Sequence, residues 1–153
     1  MRARVAPWRV LAAVLLTACE SGSPGQPIVV ENEGRICVHG DPSVPGAQTF
    51  AANAPIHLAY QSQDECLSSS CTSDRSSACA ASIDNGVIEL SAVISWRDIS
   101  RQQGACTADC VLLAAECTTA VLPAGTFEVR FGSGRMSLVI PSQHAAPPCI
   151  DAR

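Results

Sequence analysis

The sequence predicts a mainly β domain, an antiparallel β sandwich that is stapled by disulfide bonds. Three observations support it: short segments in which apolar and polar residues alternate, turns rich in Gly, Pro and Asn between them, and nine cysteines in 153 residues. Strands with one apolar face bury that face against a second sheet. Aromatic residues are scarce, so five of them are predicted to anchor the core: Phe50, Tyr60, Trp96, Phe127 and Phe131.

The clearest strand spans residues 87–96. Every second residue in it is apolar: Ile88, Leu90, Ala92, Ile94 and Trp96. This period of two is typical of a half-buried strand. Asp84-Asn85-Gly86 precedes the strand and predicts a tight turn, because Asn and Gly tolerate positive φ.

A β-hairpin is predicted over residues 126–140. Alternation in residues 126–131 stops at Gly132-Ser133-Gly134, which permits a reversal, and then resumes at Met136. Together with the first strand, these segments predict the following core residues: Ile88, Leu90, Ile94, Trp96, Phe127, Val129, Phe131, Met136, Leu138 and Ile140.

Other segments carry weaker patterns. Residues 35–39 and 56–60 are predicted strands, and residues 66–82, rich in Ser and Cys, are predicted to form a stapled loop. Residues 107–116 fit either a short helix or a strand. The run Leu122-Pro123-Ala124-Gly125-Thr126-Phe127 resembles the closing hairpin of many immunoglobulin-like bacterial surface domains. That resemblance implies an immunoglobulin-like sandwich and no particular function.

The amino-terminal residues have the composition of a secretory signal peptide. Residues 1–9 contain three arginines and no acid, and residues 10–16 are apolar. Seven apolar residues fall far short of the roughly 20 that span a bilayer as a helix.

Leu16-Thr17-Ala18-Cys19 follows and resembles the lipobox of bacterial lipoproteins. The resemblance implies cleavage before Cys19, a thioether-linked diacylglycerol on its sulfur and an acylated amino terminus, with chains such as palmitate. It divides the chain into a signal peptide (1–18), a lipidated Cys19 with a Gly-, Ser- and Pro-rich tether (19–27) and one domain (28–153). Two or three acyl chains hold a protein on a membrane permanently. Glu20 in place of Asp favours the outer membrane of the cell envelope, where a cell has one.

The cysteine count agrees with the lipobox. Lipidation of Cys19 leaves eight cysteines, an even number that suits four disulfides in an oxidising compartment: Cys37, Cys66, Cys71, Cys79, Cys106, Cys110, Cys117 and Cys149. Three lie between 66 and 79 and three between 106 and 117, so each group must send at least one bridge outside itself. The pairing stays open. Zinc is not expected, because the sequence has no Cys-x-x-Cys pair.

Charge and motifs limit the function classes. Beyond residue 18, seven Arg oppose 14 Asp and Glu, a formal charge near −7, and lysine is absent. Such a surface does not attract nucleic acid. The three histidines, His39, His57 and His144, belong to no catalytic motif. No catalytic residue, metal or cofactor is therefore expected.

Two functional hypotheses remain. The first is a non-catalytic binding or structural module of the envelope, anchored to the membrane through Cys19, with an envelope protein or a glycan as partner. The second is a small hydrolase or a hydrolase inhibitor. A hydrolase would bring two or three of these side chains into one cleft: His39, Asp41, His57, Asp64, Asp98 and Glu116. An inhibitor would expose a disulfide-flanked loop, for which Ser68-Ser69-Ser70 is the predicted candidate.

We predict that Cys19→Ser abolishes membrane attachment, because serine offers no sulfur for the thioether. Wild-type protein should partition into the detergent phase, and the variant should stay in the aqueous phase. Ser21→Ala, which leaves the lipobox intact, should behave like wild type. A Cys19→Ser variant that still enters the detergent phase would refute the anchor.

Overall fold

The computed structural model describes residues 25–40, 48–63 and 66–153. The predicted signal peptide, Cys19 and most of the tether lie outside the described residues. The described part is mainly β, as predicted, and contains eleven strands and one short helix: β1 (Pro27–Glu31), β2 (Gly34–His39), β3 (Gln48–Phe50), β4 (His57–Gln61), β5 (Thr72–Asp84), β6 (Val87–Asp98), α1 (Ser100–Gln103), β7 (Ala114–Thr118), β8 (Gly125–Phe131), β9 (Gly134–Ile140), β10 (Ser142–His144) and β11 (Cys149–Ala152).

The first sheet is organised around β6. One edge of β6 pairs with β5, and the other pairs with β1 near its end and with β8 near its start. β9 extends the sheet through the predicted hairpin with β8. The β5–β6 turn lies at Asn85 and Gly86, which have φ values of 48° and 79°, as expected for a tight hairpin.

The second sheet has the order β11-β2-β4-β7, and all its pairings are antiparallel. Strands β3 and β10 form a separate antiparallel pair. The predicted strands over residues 35–39 and 56–60 correspond to β2 and β4.

One hydrophobic core joins side chains of both larger sheets. The five predicted aromatic anchors are buried, and the Tyr60 and Phe131 rings, one from each sheet, pack edge to face with centroids 5.9 Å apart. The predicted register is confirmed: the alternate residues from Ile88 to Trp96 are buried, and Glu89 is exposed. Of the predicted core, Met136 alone is only partly buried.

Asn32 follows β1 and forms two hydrogen bonds with β6, close to the point where β8 ends. It adopts a left-handed φ of 57°, its N–H donates to the carbonyl of Ala92 at 2.8 Å, and its side-chain oxygen accepts the N–H of Ala92 at 3.0 Å. A Cβ on Gly132, which follows β8, would lie 2.4 Å from the carbonyl oxygen of Asn32. Asn32 therefore satisfies the backbone of β6 where β1 ends and β8 approaches.

Four disulfides connect the eight expected cysteines. Cys37–Cys149 joins the adjacent strands β2 and β11, and Cys79–Cys117 joins β5 of the first sheet to β7 of the second. Cys66–Cys110 and Cys71–Cys106 join two loops. All three cysteines of the 66–79 group thus pair with the 106–117 group, which satisfies the parity requirement.

The predicted loop over residues 66–82 is wrong from Thr72 onward, where β5 begins. Its Ser and Ala side chains give little apolar signal, yet β5 pairs with β6 along almost its whole length. Alternate residues Cys79, Ala81 and Ile83 pack against the core. Pairing with a strongly patterned partner overrides weak local propensity here.

Two short strands that no sequence pattern predicted follow the hairpin: β10, which contains His144, and β11. Residues 107–116 were predicted as a short helix or a strand; residues 107–113 are a loop, and residues 114–116 belong to β7. β1 includes Pro27, and the Arg97 guanidinium donates to the carbonyl of Gly25 at 3.1 Å.

We predict that peptide mapping without reduction recovers the four bridges described above and no free thiol among these eight cysteines. The double variant Cys79→Ala/Cys117→Ala should lower the free energy of unfolding by about 2–4 kcal/mol, because the unfolded chain regains freedom. A chelator is the control and should leave the melting temperature unchanged. Two or more alkylated thiols in the native protein would contradict the bridges.

Candidate functional site

A cleft of about 420 Å³ lies on the face of the second sheet that points away from the core. His39 at the end of β2 is the direct register partner of His57 at the start of β4, and Thr118 of β7 lies opposite His57. Glu116 lies on the same strand as Thr118 and lines the same cleft. The structure therefore brings together three of the six side chains that the hydrolase hypothesis named.

The acid–base side chains that line the cleft are not bonded to one another in the described part of the chain. Among the described residues, no hydrogen bond or ion pair links His39, His57 and Glu116. No three His, Cys, Asp or Glu side chains of that part of the chain are placed to hold a metal ion. A general base acts within hydrogen-bond reach of the proton that it takes, so these side chains would have to approach one another or a substrate before they could act in catalysis.

The other candidate residues lie apart from this cleft. Asp98 ends β6, where its carboxylate accepts the N–H of Ser100 at 2.8 Å. His144 packs edge-on against Phe50, with ring centroids 5.4 Å apart, and its Nε2 lies 3.2 Å from the hydroxyl of Ser142. Asp41 and Asp64 lie outside the described residues.

A second candidate site is the segment over residues 101–110, which comprises the last three residues of α1 and the loop that follows it, and in which every residue is exposed. We call it the bridged loop, because Cys71–Cys106 and Cys66–Cys110 both fasten it to the preceding loop over residues 66–71. Just beyond it, Val111 and Leu67 exchange two backbone hydrogen bonds of 2.8 and 3.2 Å. Leu67 is buried, so the base of the bridged loop is tied to the core.

Polar contacts hold the carboxyl-terminal half of the bridged loop. The N–H of Thr107 donates to the Ser70 hydroxyl at 2.9 Å, and the N–H of Ser69 donates to the Asp109 carboxylate at 3.2 Å. The Thr107 hydroxyl also donates to the Asp109 carboxylate. Ala108 lies between these two fixed residues. It is exposed, and among the described residues it makes no hydrogen bond.

Ser68-Ser69-Ser70, the predicted inhibitor loop, instead supports the bridged loop through hydrogen bonds with Thr107 and Asp109. Ser68 and Ser70 are half-buried, and both hydroxyls lie within hydrogen-bond distance of the Thr107 hydroxyl, at 3.0 and 3.2 Å. The exposed segment is the opposite one, between Cys106 and Cys110. Sequence reasoning could not distinguish the two, because both segments are short, polar and flanked by cysteines.

The hydrogen bonds at Asp109 change its acidity. The bonds from Ser69 and Thr107 stabilise the charged carboxylate and lower its pKa from the ordinary value of 3.8 to about 2. The carboxylate therefore stays ionised, and able to accept these hydrogen bonds, throughout the neutral and mildly acidic range.

Comparisons of the chain with protein-family models, curated proteins and solved structures gave no match. The function is therefore argued from geometry alone. Within residues 25–40, 48–63 and 66–153, no helix combines the length and the apolar character that crossing a bilayer requires.

We predict that the bridged loop loosens as pH falls from about 4 to about 2. A carboxylate whose pKa is depressed on folding stabilises the fold above its ordinary pKa of 3.8, and that contribution is lost as pH falls toward about 2. Hydrogen exchange of the Ser69 and Thr107 amides should rise relative to the core amides over this interval.

Asp109→Asn isolates this effect, since the amide does not titrate in this range. The variant should show already raised exchange at neutral pH and no further change between pH 4 and pH 2 beyond that of the core. Equal pH profiles for wild type and Asp109→Asn would contradict the role of Asp109.

Proposed function

We propose that the chain is an exported, lipid-anchored binding module of the cell envelope, with no catalytic residue, that recognises its partner through the bridged loop. The observation that carries the proposal is the full exposure of residues 101–110 together with two disulfides that fix them. A loop already ordered before binding loses little conformational entropy on association. Rigid, exposed loops on a stable scaffold are a common location for recognition.

The scaffold that we propose is an immunoglobulin-like β sandwich. Its support is the shared core, to which the first sheet contributes Phe131 and the second Tyr60, and the Cys79–Cys117 bridge between β5 and β7. Four disulfides suit the oxidising compartments outside the cytoplasm, in agreement with the predicted signal peptide.

The predicted anchor would keep the bridged loop close to a membrane. Arg97 contacts Gly25, and the bridged loop begins at Arg101 within α1, shortly after β6 ends, so the loop and the tether leave the same end of the first sheet. Five residues lie between Cys19 and Gly25, and the six residue steps from one to the other reach at most about 20 Å when extended. The partner would then be an envelope protein or glycan near the membrane surface, at the outer membrane where Glu20 favours it.

A small hydrolase is the second candidate function, and the convergence of His39, His57 and Glu116 in one cleft favours it. It requires these groups to come into hydrogen-bond contact when substrate binds. Ester or amide hydrolysis that His57→Ala abolishes, and that His144→Ala leaves intact, would support this function over the binding module.

We predict that partner contacts concentrate on the bridged loop. Photo-crosslinkers placed at Gln103 or Ala105, in the full chain expressed in its native envelope, should give one dominant adduct. Ser137, which is exposed on the outer face of β9, is the matched control position and should give none. Equal labelling from the loop and from Ser137 would contradict recognition through the loop.

A further inference from the structure

The contacts of Ala108 differ from those of its neighbours in a way that points to a class of partner. Thr107 and Asp109 are fixed by hydrogen bonds to Ser70 and Ser69, whereas Ala108 makes none within the described part of the chain. The N–H and C=O of Ala108 and its methyl group are thus free and exposed. An exposed segment with free backbone groups can add to a sheet edge in a partner's groove, and its side chains can fill the adjacent pockets.

We propose that the bridged loop binds the substrate cleft of a serine peptidase, with the Ala108 methyl in the primary specificity pocket. This inference rests on the proposed function and names its partner. The loop would occupy the cleft as a substrate does, and the chain would act as an inhibitor. Inhibitors of this kind are ordered before binding and change little on complex formation.

The hydrogen bond between Thr107 and Asp109 explains why the loop would resist cleavage. It spans Ala108 and holds the residues on both sides of the peptide bond between Ala108 and Asp109 in one arrangement. Hydrolysis of that bond would add one water across it, yet both new ends would remain attached, through Cys71–Cys106 on one side and Cys66–Cys110 on the other. The cut ends could not diffuse from the cleft, which favours the intact bond.

The side chains of the segment define the pocket. A methyl group fits a shallow, apolar pocket of the elastase type and leaves the deep acidic pocket of trypsin-type enzymes unfilled. Leu112, two residues beyond Cys110, is 41 % exposed and would add apolar contact further along the cleft. We therefore expect preference for elastase-type over trypsin-type peptidases.

The test measures inhibition of elastase-type and trypsin-type peptidases by the full chain, purified in detergent with its disulfides intact. Wild type should inhibit the elastase-type enzyme. Ala108→Arg should weaken that inhibition at least about 30-fold, the change expected for a central contact residue, and should create inhibition of the trypsin-type enzyme. Ser137→Arg adds the same charge on the exposed face of β9, outside the bridged loop, and should change neither.

Thr107→Val keeps the shape of the side chain and removes the hydroxyl, so it should raise the rate of cleavage after Ala108 without unfolding the domain. Its melting temperature and disulfide map verify the fold. The proposal is overturned if wild type inhibits neither enzyme and Ala108→Arg gains no trypsin-type inhibition, or if the loop is cut as fast as an unstructured peptide. Glycan binding without inhibition would also overturn it. These assays need no membrane, whereas the anchor is tested separately by the detergent partitioning of the Cys19→Ser variant. Failure of the inhibition can therefore be distinguished from failure of the anchor.

Discussion

The pairing of both edges of β6 is the constraint on which the rest of the fold depends. Twelve consecutive residues present backbone donors and acceptors on two edges, and most of them must be satisfied by other strands. β5 covers one edge, whereas the other is divided between antiparallel β1 and parallel β8. Asn32 makes this division possible, because its left-handed backbone ends β1 and its side chain accepts the N–H of Ala92.

Covalent bridges replace hydrophobic burial where the core does not reach. In the two loops around residues 66–71 and 101–110, Leu67 and Cys71 are buried, and every residue of the second loop is exposed. Such a pair of loops gains too little from apolar burial to offset its conformational entropy. Two disulfides and the contacts of Asp109 supply the missing order, so a fully exposed segment is also a strongly restrained one.

The sequence predicted those strands in which apolar and polar residues alternate. Ile88 to Trp96, Phe127 to Phe131 and the hairpin at Gly132 carry the period of two, and their register is confirmed. β5 escaped prediction because Ser and Ala give no such period, and β10 and β11 because their strands are only three and four residues long. His39 and His57 lie opposite each other because of the register between β2 and β4, and no local sequence pattern specifies that register. The cysteine parity required long-range bridges but could not select among the pairings.

The two candidate sites lie at opposite ends of β4, and this separation has functional consequences. His57 starts the strand beside the cleft, and Gln61 ends it next to Ser62, whose hydrogen bonds with Leu113 connect it to the base of the bridged loop. Four residue steps place the two ends about 13 Å apart. With the proposed anchor at the loop end, a ligand of the cleft would approach from the side away from the membrane. A partner of the bridged loop would instead have to fit between domain and bilayer, or be held at the same surface. With that anchor, the loop would suit a partner that is itself membrane-associated, whereas the cleft would be open to a ligand from the other side.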